Sequence, residues 1–250
     1  MHPKRYYFTY LILYIEVIAL LFFFKMDYSS ISEYLPFNNT QHFIPLNWSS
    51  HEVQDISKYC PCKTFTGNSA TKSQFKYEYR NADIIHLAAH AEIDLNRPVY
   101  SRFIFAREAD RTESSCLHAY EILSMPLDAQ MVVLSACNTG RGKFIEGEGM
   151  MSLARCFYQA GCRGLITSLW DIDDKSTSQL MDLFYHSIFN GQTKDGALRE
   201  AKLKFIANTD NIHAAPYFWA GLVNVGDSSP VRRSLSAKDC MENCTIKPFR

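Results

Sequence analysis

The thiol of Cys137 and the imidazole of His90, 47 residues upstream, are the side chains best suited to covalent chemistry at neutral pH. A thiolate attacks a carbonyl carbon and a thiol barely does. A working cysteine therefore needs a neighbouring imidazole or a helix amino terminus to lower its pKa. Both residues close an apolar run: "DIIHLAAH" ends at His90 and "MVVLSAC" ends at Cys137. A packing cysteine sits inside such a run. A working one belongs at its rim, and Cys137 is followed by the glycine-studded stretch "NTGRGKFIEGEG".

Two such rims need a scaffold that brings strand ends together. Strand candidates are Ile84–Ala89, Phe103–Ala106, Met131–Ala136 and Gly164–Leu169, with a last one within Tyr217–Val225. Helix candidates are Ser73–Tyr79, His118–Leu123, Gly149–Gln159, Ser176–Phe189 and Lys194–Asn208. Short apolar runs separated by helices imply crossovers and a mainly parallel sheet covered on both faces. Ligands of such sheets gather outside the carboxyl ends of the strands, the rim on which His90 and Cys137 fall.

The other polar clusters read more plainly. His86 and His90 are four apart, but "HLAAH" lacks the glutamate of a zinc peptidase and lies in a strand-like run, so His86 reads as a hydrogen-bonded core histidine. "GRGKFIEGEG" lacks the first glycine of a phosphate loop, and Phe144 stands at its Ser/Thr position. It reads instead as an adaptable loop beside the site, with Glu146 and Glu148 favouring the start of the next helix. Cys156, Cys162 and Cys116 read as small core residues. Neither Cys60-Pro-Cys62 nor Cys240 with Cys244 is the usual Cys-x-x-Cys, and no paired His/Cys group follows at zinc-finger distance, so no metal and no cofactor is expected. The formal net charge of zero, from 26 basic and 26 acidic residues, argues against nucleic acid as a partner. At 47% hydrophobic the 250-residue chain can build a core without disulfide staples.

The amino-terminal stretch differs from the rest. Tyr6 to Phe24 carries one charge, Glu16, and is flanked by Lys4-Arg5 and Lys25. As a helix it would span about 28 Å, close to a hydrocarbon core. Glu16 would cost about 3 kcal/mol, which a dozen Leu, Ile, Phe and Val at about −0.3 to −0.6 kcal/mol each outweigh. The expected layout is a hydrophobic segment and membrane anchor over 1–25, a linker over 26–45, a catalytic domain over 46–226 and a polar, mobile tail over 227–250. The expected location is a membrane, single-pass, with the cytoplasm as the alternative. The flanking charges leave the orientation open.

The run "ADIIHLAAHAEID", then "VVLSACNTGRGKFIEGEGMMSLARCFYQAGCRGLITSLWDIDDKST", then "FYHSIFNGQTKDGALREAK" and "APYFWAGLVNVGD" resembles a CHAT domain. CHAT domains are caspase-like cysteine peptidases of the clan that also holds separases. The spacing agrees, since caspases carry their histidine about 50 residues before the cysteine. The resemblance implies a caspase-like three-layer α/β sandwich with a mainly parallel central sheet, to which the amino-terminal hydrophobic helix is added. It implies His90 and Cys137 as the catalytic pair and the backbone N–H groups of Ala91 and Cys137 as the oxyanion hole. Ala91 replaces the glycine common in relatives, and Ala214 replaces a histidine common before Pro216-Tyr217-Phe218-Trp219.

In separases a Leu-Trp-Asp segment lends acidity to the pocket for a basic P1 side chain. By that resemblance Trp170 with Asp171 or Asp174 would line this chain's substrate pocket. The plainer reading makes Asp173 or Asp174 a helix cap. CHAT domains usually follow a half-domain or helical repeats, so an upstream repeat or half-domain is an expected partner beside the protein or peptide substrate. The expected activity is peptide-bond hydrolysis. The rival reading is a membrane-tethered interaction module that keeps the fold without the chemistry.

Overall fold

A strand that is apolar at every position needs cover on both faces. Ile84–Ala88 and Gly164–Ser168 are buried at each residue, and so is Met131–Ala136 through Ser135. The computed structural model describes residues 48–59, 62–94, 96–108, 114–136, 149–232 and 244–248, all within one compact unit, Ile44–Arg250.

In chain order the elements are α1 (Ser49–Ser57), β1 (Lys63–Thr64), α2 (Lys72–Glu78), β2 (Ile84–Ala88), β3 (Ala91–Glu92), β4 (Arg102–Ile104), β5 (Cys116–His118) and α3 (Ala119–Leu123). Then come β6 (Met131–Ala136), α4 (Gly149–Gln159), β7 (Gly164–Ser168), α5 (Asp174–Phe189), α6 (Lys194–Asn208), β8 (Leu222–Gly226) and β9 (Cys244–Pro248). The main sheet runs β1-β9-β2-β6-β7-β8. All its pairs are parallel except β7 with β8 at the edge. The expectation of a mixed α/β fold with a mainly parallel sheet holds.

Side-chain alternation splits the core in two. Ile85, Leu87, Val132 and Leu134 pack with Phe75 of α2 and Phe157 of α4. Ile84, Met131, Val133 and Ile166 pack on the opposite face with α1, α5 and α6. The sheet is therefore the middle of three layers.

Four features depart from the sequence reading. The Phe103–Ala106 candidate supplies only β4, which joins β3 and β5 in a separate antiparallel sheet rather than the main one. Within Tyr217–Val225, Pro216–Phe218 is a 3-10 turn and pairing starts at Leu222, because proline has no N–H to donate to a ladder. Cys244–Pro248, within the stretch read as a tail, lies between β1 and β2 in the main sheet. Residues 49–57, read without a helix, form α1, which packs on α5: Trp48 N–H donates to Asp174 Oδ2 at 2.9 Å and Tyr59 O–H to Asp182 Oδ1 at 2.8 Å.

Among the described residues no helix is long and apolar enough to cross a membrane. The expected anchor, 6–24, and the linker, 26–45, lie outside them.

Candidate active site

His90 follows β2 by two residues, where the chain leaves the main sheet for the small one. Its carbonyl accepts the Ile104 N–H at 2.9 Å, which stitches this crossing to β4. The imidazole is 3% exposed. Ala91, next in the chain, opens β3 opposite Phe103 and is equally buried.

β6 is the parallel neighbour of β2, and Ala136, its last residue, pairs with Ala88. The carboxyl ends of the two strands thus lie side by side. Residues 137–148, Cys137 among them, fall outside the described residues, so the expected His90–Cys137 contact and the Cys137 N–H are not among the described geometry.

The register between β2 and β6 slips by one near that end. Leu87 pairs with Leu134 and Ala88 with Ala136, so Ser135 is passed over. Below it lies a buried polar cluster. His86 Nδ1 is 3.0 Å from Tyr185 Oη, and Nε2 is 2.9 Å from Ser135 Oγ and 3.1 Å from Glu52 Oε1. His86 is a satisfied core histidine, as its place in an apolar run suggested. The cluster holds a serine, a histidine and a carboxylate, but it is not wired as a hydrolytic triad. Such a triad needs the serine and the acid on opposite ring nitrogens, whereas here they share Nε2. Ser135 is also buried.

The Trp170 segment is held from the other side. Trp170 Nε1–H donates to the Tyr217 carbonyl at 2.9 Å, and Leu169 N–H to the Gly221 carbonyl at 2.9 Å. A Cβ at Gly221 would lie 2.8 Å from the Trp170 ring, so only glycine lets the indole settle there. Trp219 Nε1–H donates to the carbonyl of Ala214. That contact uses backbone, so the missing histidine at 214 leaves this turn intact.

Asp173, not Asp174, caps α5, accepting the N–H and O–H of Ser176 at 2.9 Å each. Asp174 accepts the Trp48 N–H. Burial raises its pKa against that hydrogen bond, and the Glu52 carboxylate raises it further. Asp171 is partly exposed just beyond Trp170. Both expected pocket acids are half-buried, and Asp174 is tied to the Trp48 backbone.

The remaining described cysteines divide similarly. Burial pushes the Cys162 thiol up to about 11, and its S–H donates to the Gly164 carbonyl at 3.1 Å. Burial raises Cys156 as well. Both are core residues, as expected. Cys62 and Cys116 are half-buried and free. Among the described residues no group of three or more His, Cys, Asp or Glu side chains could hold a metal ion.

Sequence reasoning missed Glu52, Ser135 and Tyr185. Ser135 left a signal, as a polar residue in an apolar strand beside a polar His86 on the neighbouring strand. Glu52 left none, because the helix carrying it reads as polar.

A family model described as CHAT domain matches residues 35–227. Curated relatives include tetratricopeptide repeat protein 28 of Homo sapiens, 24% identical over 213 residues, covering 73% of this chain and 8% of that protein. The Mus musculus protein of the same name is 24% identical over 213 residues, covering 73% of this chain and 9% of that one. The chain thus spans less than a tenth of the length of these relatives. Among solved structures, the Arg specific cysteine proteinase gingipain R aligns with a TM-score of 0.38 at 12% identity, over 74% of this chain and 53% of that one.

Proposed function

The chain belongs to the CHAT domain family, and on that footing we propose that it is a cysteine endopeptidase working through His90 and Cys137. The observation that carries the reading is the pairing of Ala88 with Ala136. His90 is two residues beyond the first and Cys137 one beyond the second. That closeness in sequence to a paired position on adjacent parallel strands supports the dyad.

In this reading His90 takes the Cys137 proton and the thiolate attacks the scissile carbonyl. The backbone N–H groups of Ala91 and Cys137 receive the oxyanion. Collapse breaks the C–N bond as the imidazolium protonates the departing amine, leaving a thioester that water hydrolyses with His90 as base. Cys156 and Cys162, held as thiols by burial, do not compete for the electrophile.

For specificity, Asp171 is the acid that meets a basic P1 side chain. Asp171 follows Trp170 directly beyond the β7 end, whereas Asp174 lies within α5 and accepts the Trp48 N–H. The relatives' names carry tetratricopeptide repeats, which supports a repeat segment or protein as the partner. The apolar run 6–24 supports tethering to a membrane, tested by whether carbonate-washed membranes retain the chain and release a variant lacking residues 1–25.

The test of the activity is turnover of a peptide library scanned at P1. Wild type should cleave after Arg or Lys, and His90→Ala should lose about 10²–10⁴-fold in kcat. Asp171→Asn should weaken the basic preference while leaving the chemistry. Turnover that survives Cys137→Ala removes the dyad, and a P1 scan led by Asp or apolar residues removes the role of Asp171. The non-enzymatic rival predicts no turnover in any variant.

A further inference from the structure

We propose that Ser135 and His86 form a positioning device that sets the phase in which the chain leaves β6 toward Cys137. The inference rests on the peptidase reading for its effect on rate, but its structural part stands apart from it.

A strand's side chains alternate between faces with a period of two, so passing over one residue exchanges the faces of everything that follows. Ser135 is that residue, and Cys137 is the second residue after it. Bulges are rare between parallel strands and common beside active sites, where they re-aim a side chain. Something must hold this one. Its hydroxyl is 2.9 Å from His86 Nε2 on the neighbouring strand, fully inside the protein.

The imidazole is in turn fixed from two helices on the same face of the sheet. Tyr185 on α5 meets Nδ1, and Glu52 on α1 meets Nε2. The Tyr185 and Ser135 hydroxyls satisfy both ring nitrogens in either tautomer, and the Glu52 carboxylate lies 3.1 Å from Nε2 as an ion-pair contact. The same four groups therefore tie two strands and two helices to the point where the register slips. A sheet built only for stability would place an aliphatic residue at position 86, since burying a polar cluster gains little over packed hydrocarbon. Here the cluster touches the one slipped residue between β2 and β6.

Ser135→Ala is the clean variant. Replacing His86 removes the Tyr185, Ser135 and Glu52 contacts together, so its effect could not be assigned to the slipped residue. In Ser135→Ala the serine hydroxyl goes while the apolar packing stays. The expected result is a loss of kcat of about tenfold to a hundredfold with KM unchanged, as a misplacement of about 1 Å produces. Ser135→Thr, which keeps the hydroxyl, should restore most of it. Amide hydrogen exchange should quicken at residues 133–136 and stay as in wild type in α5 and β7. A Ser135→Ala enzyme with wild-type kcat overturns the proposal. So does a loss accompanied by faster exchange throughout the domain, which marks a merely structural role. If wild type cleaves no peptide, the peptidase reading fails and exchange alone decides. Faster exchange confined to 133–136 then supports the positioning device, and unchanged exchange overturns it.

Discussion

Single residues here act through what they are paired with, and two carboxylates show opposite signs. Burial raises the pKa of Asp174 above its ordinary value of 3.8, against the Trp48 N–H and with the Glu52 charge adding to it. The folded state then binds the proton more readily than the unfolded one, so stability falls as pH rises through the region above 3.8. Asp174→Asn, which keeps an oxygen acceptor for Trp48, should flatten that dependence and hold or raise the Tm at pH 7. A Tm lowered at pH 7 would contradict it. For Glu121 burial also opposes the charge, but it is outweighed by hydrogen bonds from His118 and Lys72 and by the Lys72 ammonium, and the pKa ends well below 4.5. Its contribution is present above 4.5 and is lost as pH falls below it. Lys72 is nearly buried and reaches Glu121 Oε1 at 2.8 Å. Glu121→Ala should therefore lower the urea midpoint, by removing the carboxylate that Lys72, Lys76 and the His118 N–H share. A urea midpoint within error of wild type would refute the pairing. Neither sign was legible in sequence, because Trp48 lies 126 residues from Asp174 and Lys72 lies 49 residues from Glu121.

Elements carried more of the signal. The unbroken apolar runs of β2, β6 and β7 could bury themselves only between two helical layers, and the sheet and the long helices α4, α5 and α6 appear where hydropathy puts them. Ser176 was expected to start α5. The start moves to Asp174 because Asp173 captures the Ser176 N–H. What pattern could not show were elements of two to five residues, β1, β3, β5 and β9, whose existence depends on partners distant in sequence. The same holds within the candidate site. The two strand ends were legible from where "HLAAH" and "LSAC" stop being apolar. The slip at Ser135 was not, since register belongs to the pair of strands and not to either alone. β9 gives an element-scale test. It separates β1 from β2, so truncation after residue 232 should open the β2 edge and unpair β1. The truncated chain should unfold at lower urea and associate. An unchanged midpoint with a monomeric profile would deny β9 its place.

At the scale of the molecule, the CHAT match over residues 35–227 and the three-layer sheet agree on an α/β scaffold in which the carboxyl ends of β2 and β6 lie side by side. The named relatives are many times longer than this chain. The central claim is narrower: the His90 imidazole activates the Cys137 sulfur. Its most direct measurement is the rate at which a peptide bearing an electrophilic carbonyl modifies the intact chain, with the adduct located by mass spectrometry. The account predicts one adduct, on Cys137, and a rate that falls about 10²-fold or more in His90→Ala. Equal rates in the two proteins, or an adduct on another cysteine, would contradict it.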